Sequence, residues 1–121
     1  MAAAVITITE TTHTSMKRIK VAWVCSDTGG GTATTTAAYD GKCELFTTVP
    51  SGSIAPTDDY DITITDADGV DVLAGAGKDR DTANTEQVVG SSLGAVSGSR
   101  LTFTVSSAGN ARGGTCYLSI R

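Results

Sequence analysis

The chain has 121 residues, enough to bury one hydrophobic core and too few for two. Hydrophobic residues make up 40% of it, which excludes a disordered segment. Nine basic against thirteen acidic side chains give a formal charge of −4. An acidic surface repels phosphate, so neither nucleic acid nor an anionic membrane is expected as a partner.

Threonine is abundant, glycine numbers 14 and proline only two. That mixture favours strands joined by tight turns, because β-branched side chains fit a pleated surface and glycine supplies positive φ. The first nine residues (MAAAVITIT) lack the basic region and long apolar run of a secretory signal, so synthesis in a cytoplasm without export is expected. No stretch approaches the roughly 20 apolar residues of a membrane-spanning helix. In "AVITITE", Ile6 and Ile8 share one face. Residues 1–15 read either as an extended arm or as the first strand, and 16–121 as a single β-sandwich domain. His13, the only histidine, falls in the polar linker "TETTHTSM". With no G-x-S-x-G elbow in the chain, it is read as solvent-exposed and not as part of a Ser–His–Asp system.

"KRIKVAWVCS" alternates strictly: Ile19, Val21, Trp23 and Cys25 lie on one face, Arg18, Lys20 and Ala22 on the other. "SDTGGG" follows. Asp27-Thr28-Gly29 has the Asp-Thr-Gly signature of an aspartic protease, in which two carboxylates share a proton on tight loops. Val88-Val89-Gly90 even offers the apolar-apolar-Gly triplet of a small dimeric protease. Yet the residues after it, "SSLGAVSGSR", do not favour a helix, and three glycines after Thr28 suit a loose connection to the threonine run at 32–36. Asp27 is therefore read as a turn residue.

"CELFTTV" places Cys43, Leu45 and Val49 on one side, with Phe46 breaking the pattern. "DDYDITITDADGVDVLAG" reads as a hairpin: Tyr60, Ile62 and Ile64 point one way, Asp66 to Gly69 turn, and Val70 and Val72 resume the apolar face. Asp66-x-Asp68-Gly69-x-Asp71 hints at a calcium loop. An EF-hand loop, however, takes an oxygen ligand at its fifth position and glycine at its sixth. Counted from Asp66, the fifth residue is Val70 and the glycine comes early. "GAGKD", Gly75 to Asp79, lacks the upstream glycine of a phosphate-binding loop, since Val72 stands there, and Asp79 replaces the Ser or Thr that would hold magnesium. "DRDTANTEQVV" is the best candidate for one or two helical turns. "RLTFTVSS" points Leu101, Phe103 and Val105 inward. After the turn "AGNARGG", "TCYLSIR" points Cys116, Leu118 and Ile120 inward, and the two runs look like a second hairpin.

Three cysteines, Cys25, Cys43 and Cys116, cannot all pair within the chain and lack zinc-site spacing. They read as buried thiols, with one disulfide in an oxidising medium as the alternative. The whole predicts an all-β fold, an antiparallel sandwich or small barrel of about seven or eight short strands. No catalytic, cofactor-binding or metal site is assigned.

Two stretches carry a resemblance. "PTDDYDITITDADGVDVLAGAG" (Pro56 to Gly77) and "LTFTVSSAGNARGGTCYLSIR" resemble small virion structural proteins of tailed bacteriophages and prophages, over roughly residues 16–121. The resemblance implies a particle component and not an enzyme. The leading expectation is a capsid decoration (cement) protein in the virion, bound to the major capsid protein and acting as a homo-oligomer, such as a trimer at a symmetry axis. The contact elements expected are Ala2 to Ser15 and the loops at 27–36, 50–58 and 75–87. A tail or neck component, or a host-facing binding module, is the alternative. A dimeric aspartic protease using Asp27 is the remote one.

Overall fold

The computed structural model describes residues 4–121; positions 2 and 3 of the proposed N-terminal contact segment lie outside them. Among the described residues nine strands form, where about seven or eight are expected: β1 (Val5–His13), β2 (Met16–Val24), β3 (Gly31–Thr34), β4 (Tyr39–Pro50), β5 (Asp61–Thr65), β6 (Glu86–Val89), β7 (Ala95–Ser99), β8 (Thr102–Ser106) and β9 (Gly113–Ile120). One turn of 3-10 helix, Gly90–Ser92, is the only helical piece among the described residues.

All pairing is antiparallel. The larger sheet runs β1-β2-β9-β4-β6, and β7 pairs with the start of β4; the smaller runs β3-β8-β5. The two sheets stack, as alternating strands must to hide one face each. Ile19, Val21, Trp23 and Cys25 from β2 and its end, with Cys116, Leu118 and Ile120 from β9, meet Tyr60, Ile62, Ile64, Leu101, Phe103 and Val105 from the small-sheet side. Trp23 spans the layers, its ring 5.5 Å from Tyr60 and 6.5 Å from Phe103. Tilted aromatic pairs at such distances add to simple burial. Ile6 and Ile8 of β1 pack against this core, and β1 pairs with β2 through a two-residue turn with Thr14 at φ 54°.

Several expectations fail here. The expected Asp66–Gly69 hairpin has no second strand. β5 pairs instead with β8, and beyond the turn only an isolated bridge, Thr65 to Asp71, continues the ladder. Residues 71–79 wind through successive turns, Val70 is exposed, and Val72 and Leu73 are buried. The tight winding needs Gly77, where a Cβ would collide with the Ile62 carbonyl. β8 and β9 form no hairpin either: they belong to different sheets. In β4, a bulge between Cys43 and Leu45 reverses the alternation, so Phe46 and Thr48 face the core and Leu45 and Val49 face outward. Glu86–Val89, assigned to a possible helical turn, is an edge strand on β4.

Candidate binding surface

The sequence-derived candidates occupy turns. Asp27 holds the second position of a β-turn closed by Gly29 N donating to Ser26 O at 3.1 Å, with Gly29 at φ 83°. Ala111 N also donates to Ser26 O, which fixes the turn to the 107–112 loop. Among the described residues the Asp27 carboxylate accepts no hydrogen bond. His13 ends β1, exposed. Gly75 to Asp79 belong to the stacked turns after β5 and precede no helix.

Most aspartates of the 58–81 region accept from backbone. Asp66 Oδ1 accepts from Asp68 N at 2.9 Å and Val70 N at 3.0 Å. Asp71 accepts from Ile64 N (3.2 Å), Leu73 N (3.1 Å) and Gly75 N (3.0 Å). Asp61 accepts from Asp79 N, and Asp81 from Ala83 N and Asn84 N. Those bonds hold the Asp81 carboxyl below its ordinary value, whereas the neighbouring charge of Asp58 raises that of Asp59. Each carboxylate substitutes for ladder bonds that a loop lacks. Among the described residues no group of three or more His, Cys, Asp or Glu is placed to hold a metal ion, and no helix is long and apolar enough to cross a membrane.

Sequence reasoning misses Glu10. It projects from β1 into the corner between the sheets and accepts from Thr36 N (3.0 Å), Ala37 N (3.1 Å) and Tyr39 Oη (2.6 Å). Partial burial raises its pKa, and these three bonds outweigh that, leaving it below the ordinary value.

Register arranges the outward face of the larger sheet in rows. Thr7, Ala22, Thr115 and Val49 lie side by side; next come Thr9, Lys20, Tyr117, Thr47 and Gln87; then Thr11, Arg18, Ser119, Leu45 and Val89. These rows hold two cations and no carboxylate. Arg18 stacks over the Tyr117 ring, its Cζ 4.2 Å from the centroid. At the Val24–Pro50 end a groove of about 430 Å³ opens, walled by Val5, Ala22, Val24, Val49 and Ile54 with Trp23 beneath. Gly114, paired with Trp23, lies at its floor, where a Cβ would meet the Val49 carbonyl at 2.9 Å and the Trp23 ring at 3.2 Å. The Trp23 indole N–H is buried and, among the described residues, has no hydrogen-bond partner.

The small sheet presents a different face. Thr32, Thr104 and Thr63 form one row and Thr34, Thr102 and Thr65 another. Their hydroxyls pair with one another, Thr34 to Thr102 at 3.0 Å and Thr32 to Thr104 at 3.3 Å. Eight of the thirteen carboxylates lie in the segment around β5: Asp58, Asp59, Asp61, Asp66, Asp68, Asp71, Asp79 and Asp81 all precede β6. The surface is thus divided into a cationic and apolar sheet face and an acidic loop edge. No protein-family model matches the chain, and no curated protein matches it.

Proposed function

We propose that the chain is a non-enzymatic structural component of a tailed-phage virion, a capsid decoration protein that binds the major capsid protein and stabilises the head shell as an oligomer. The observation that supports this reading is the division of the surface. A decoration module has one side that seats on the lattice and another turned away from it. Here the three outward rows across the strands β1-β2-β9-β4-β6 carry Arg18 and Lys20 and no carboxylate, while eight of the thirteen acidic side chains lie in the segment around β5. Broad uncharged rows of Thr, Val and Ala desolvate cheaply against another protein, and two cations set orientation. The resemblance of Pro56–Gly77 and of the last two strands to phage virion proteins points the same way.

The reading is tested by co-sedimenting the purified chain with undecorated, expanded heads of the phage that encodes it. Retention on the heads, lost in the Arg18→Glu/Lys20→Glu double variant, supports it. A chain that stays in the supernatant overturns it and favours a tail or neck position.

A further inference from the structure

We propose that this chain associates with itself head to tail, the Asp66–Val70 turn of one copy seating in the Val24–Pro50 groove of the next. The inference stands without shell binding: the groove lies in the face proposed to seat on the shell, so the groove of a given copy takes either the next copy or the shell.

The turn is built as a rigid apolar knob. Val70 is 58% exposed although it is a large aliphatic residue. Four bonds hold the loop that carries it: Asp66 N to Val70 O, Gly69 N to Asp66 O, and the Asp68 and Val70 amides to Asp66 Oδ1. Ala67 N donates to Ser99 Oγ and ties the loop to the end of β7. A knob already ordered loses little entropy on docking. Asp66 and Asp68 give it an acidic collar.

The groove complements it. Its walls are uncharged and mostly apolar, with the hydroxyls of Thr7, Ser51 and Thr115 among them, and Lys20 lies one row away with Arg18 beyond. Among the described residues the sole ion pair is Arg80 to Glu86 at 3.6 Å, so Arg18 and Lys20, like Asp66 and Asp68, have no opposite charge within the chain. The two patches cannot meet in one copy. The groove lies on the outer face of the larger sheet, and the turn follows β5 in the other sheet. Opposite charges left unpaired on separate faces, one with an exposed apolar tip and the other with an apolar recess, fit each other between copies.

Because turn and groove are different patches, the contact is heterologous and closes a ring or extends as a chain. One turn in one groove covers well under the roughly 800 Å² per partner of a stable interface. Association in free solution is therefore concentration-dependent.

The test is sedimentation of the full chain at low ionic strength over about a thousandfold range of concentration, which spans about 4 kcal/mol of association free energy. The weight-average mass rises above 12.3 kDa with concentration. Val70→Asp and Ala22→Trp, both surface changes whose folding is checked by circular dichroism, each hold the chain at monomer mass. Asp68→Lys weakens association by about tenfold or more, since it brings like charges together. An equimolar mixture of Val70→Asp and Ala22→Trp restores one intact turn and one intact groove, and so gives heterodimers and nothing larger. A wild-type mass that stays monomeric throughout overturns the proposal. So does a mass rise that neither variant alters.

Discussion

The Tyr39 hydroxyl donates a 2.6 Å hydrogen bond to Glu10 Oε1, joining edge strand β1 to the start of β4 across the corner where the two sheets meet. β1 and β3 come together there without a ladder: a Cβ on Gly31 would lie 2.9 Å from that of Ala4. Glu10 supplies what the missing ladder would, accepting from two backbone amides as well as from the phenol. Burial, and then the Glu10 bond and charge, push the Tyr39 phenol up.

The pair makes stability sensitive to pH in two directions. Glu10 is held below its ordinary value of 4.5, so its contribution is present above that pH and is lost as pH falls through the lower folded value. Tyr39 is raised above 10.0, so its contribution is complete below pH 10 and declines as pH rises toward the folded value. Glu10→Gln costs roughly 1 kcal/mol at neutral pH, discounted because water competes for a half-exposed carboxylate. Urea unfolding at several pH values checks this. The variant's stability changes less than the wild type's between neutral pH and pH 3, and an identical pH profile contradicts the assignment.

The bulge in β4 makes adjacent residues unequal. Phe46 is fully buried and Leu45 lies outward. Phe46→Ala costs about 3–5 kcal/mol and Leu45→Ala less than about 1 kcal/mol. Chemical denaturation of the two variants decides it; equal losses would place the register one residue away.

All three cysteines are free and buried. Burial pushes the Cys25 and Cys43 thiols up to about 11 and raises Cys116 further. A protonated, enclosed thiol does not attack an electrophile. Incubation with a thiol reagent at pH 8 leaves the native chain unlabelled and labels three cysteines in denaturant. Labelling of the native chain at any of them contradicts this packing.

Two aspartates separate by role. Asp71 holds three backbone amides, so Asp71→Ala lowers stability by about 1–3 kcal/mol. Asp27 accepts no hydrogen bond within the described chain, and Asp27→Asn shifts stability by no more than about 0.5 kcal/mol. Thermal unfolding of both variants measures the contrast.

Strict alternation made the inner faces of β2, β5, β8 and β9 legible, because a period of two with one apolar set has a single way to bury itself. Which strands pair was not legible. "RLTFTVSS" and "TCYLSIR" resemble the arms of one hairpin, but the connection between them crosses from one sheet to the other, and local pattern carries no mark of that. The bulge beside Glu44 was hidden for a related reason: one inserted residue shifts the phase without altering composition. "EQVV" became a strand because the edge of β4 was available to pair with it, a tertiary choice over weak local preference. The local pattern of the Asp-rich region reads as a hairpin, while its side chains take over hydrogen bonds that strands would make. Of the candidate surface, the alternation placed Arg18, Lys20 and Ala22 together on one face. The rows across five strands and the groove over Trp23 needed the register.

The most direct test of the central claim is the number of copies bound per shell. Undecorated expanded heads are saturated with the purified chain, washed, and quantified against the major capsid protein. A decoration role predicts saturation at a whole-number multiple fixed by the icosahedral lattice, in the hundreds for a large shell, with the loaded heads surviving a higher temperature. Binding that never saturates, a few copies per particle, or no gain in shell stability would contradict it.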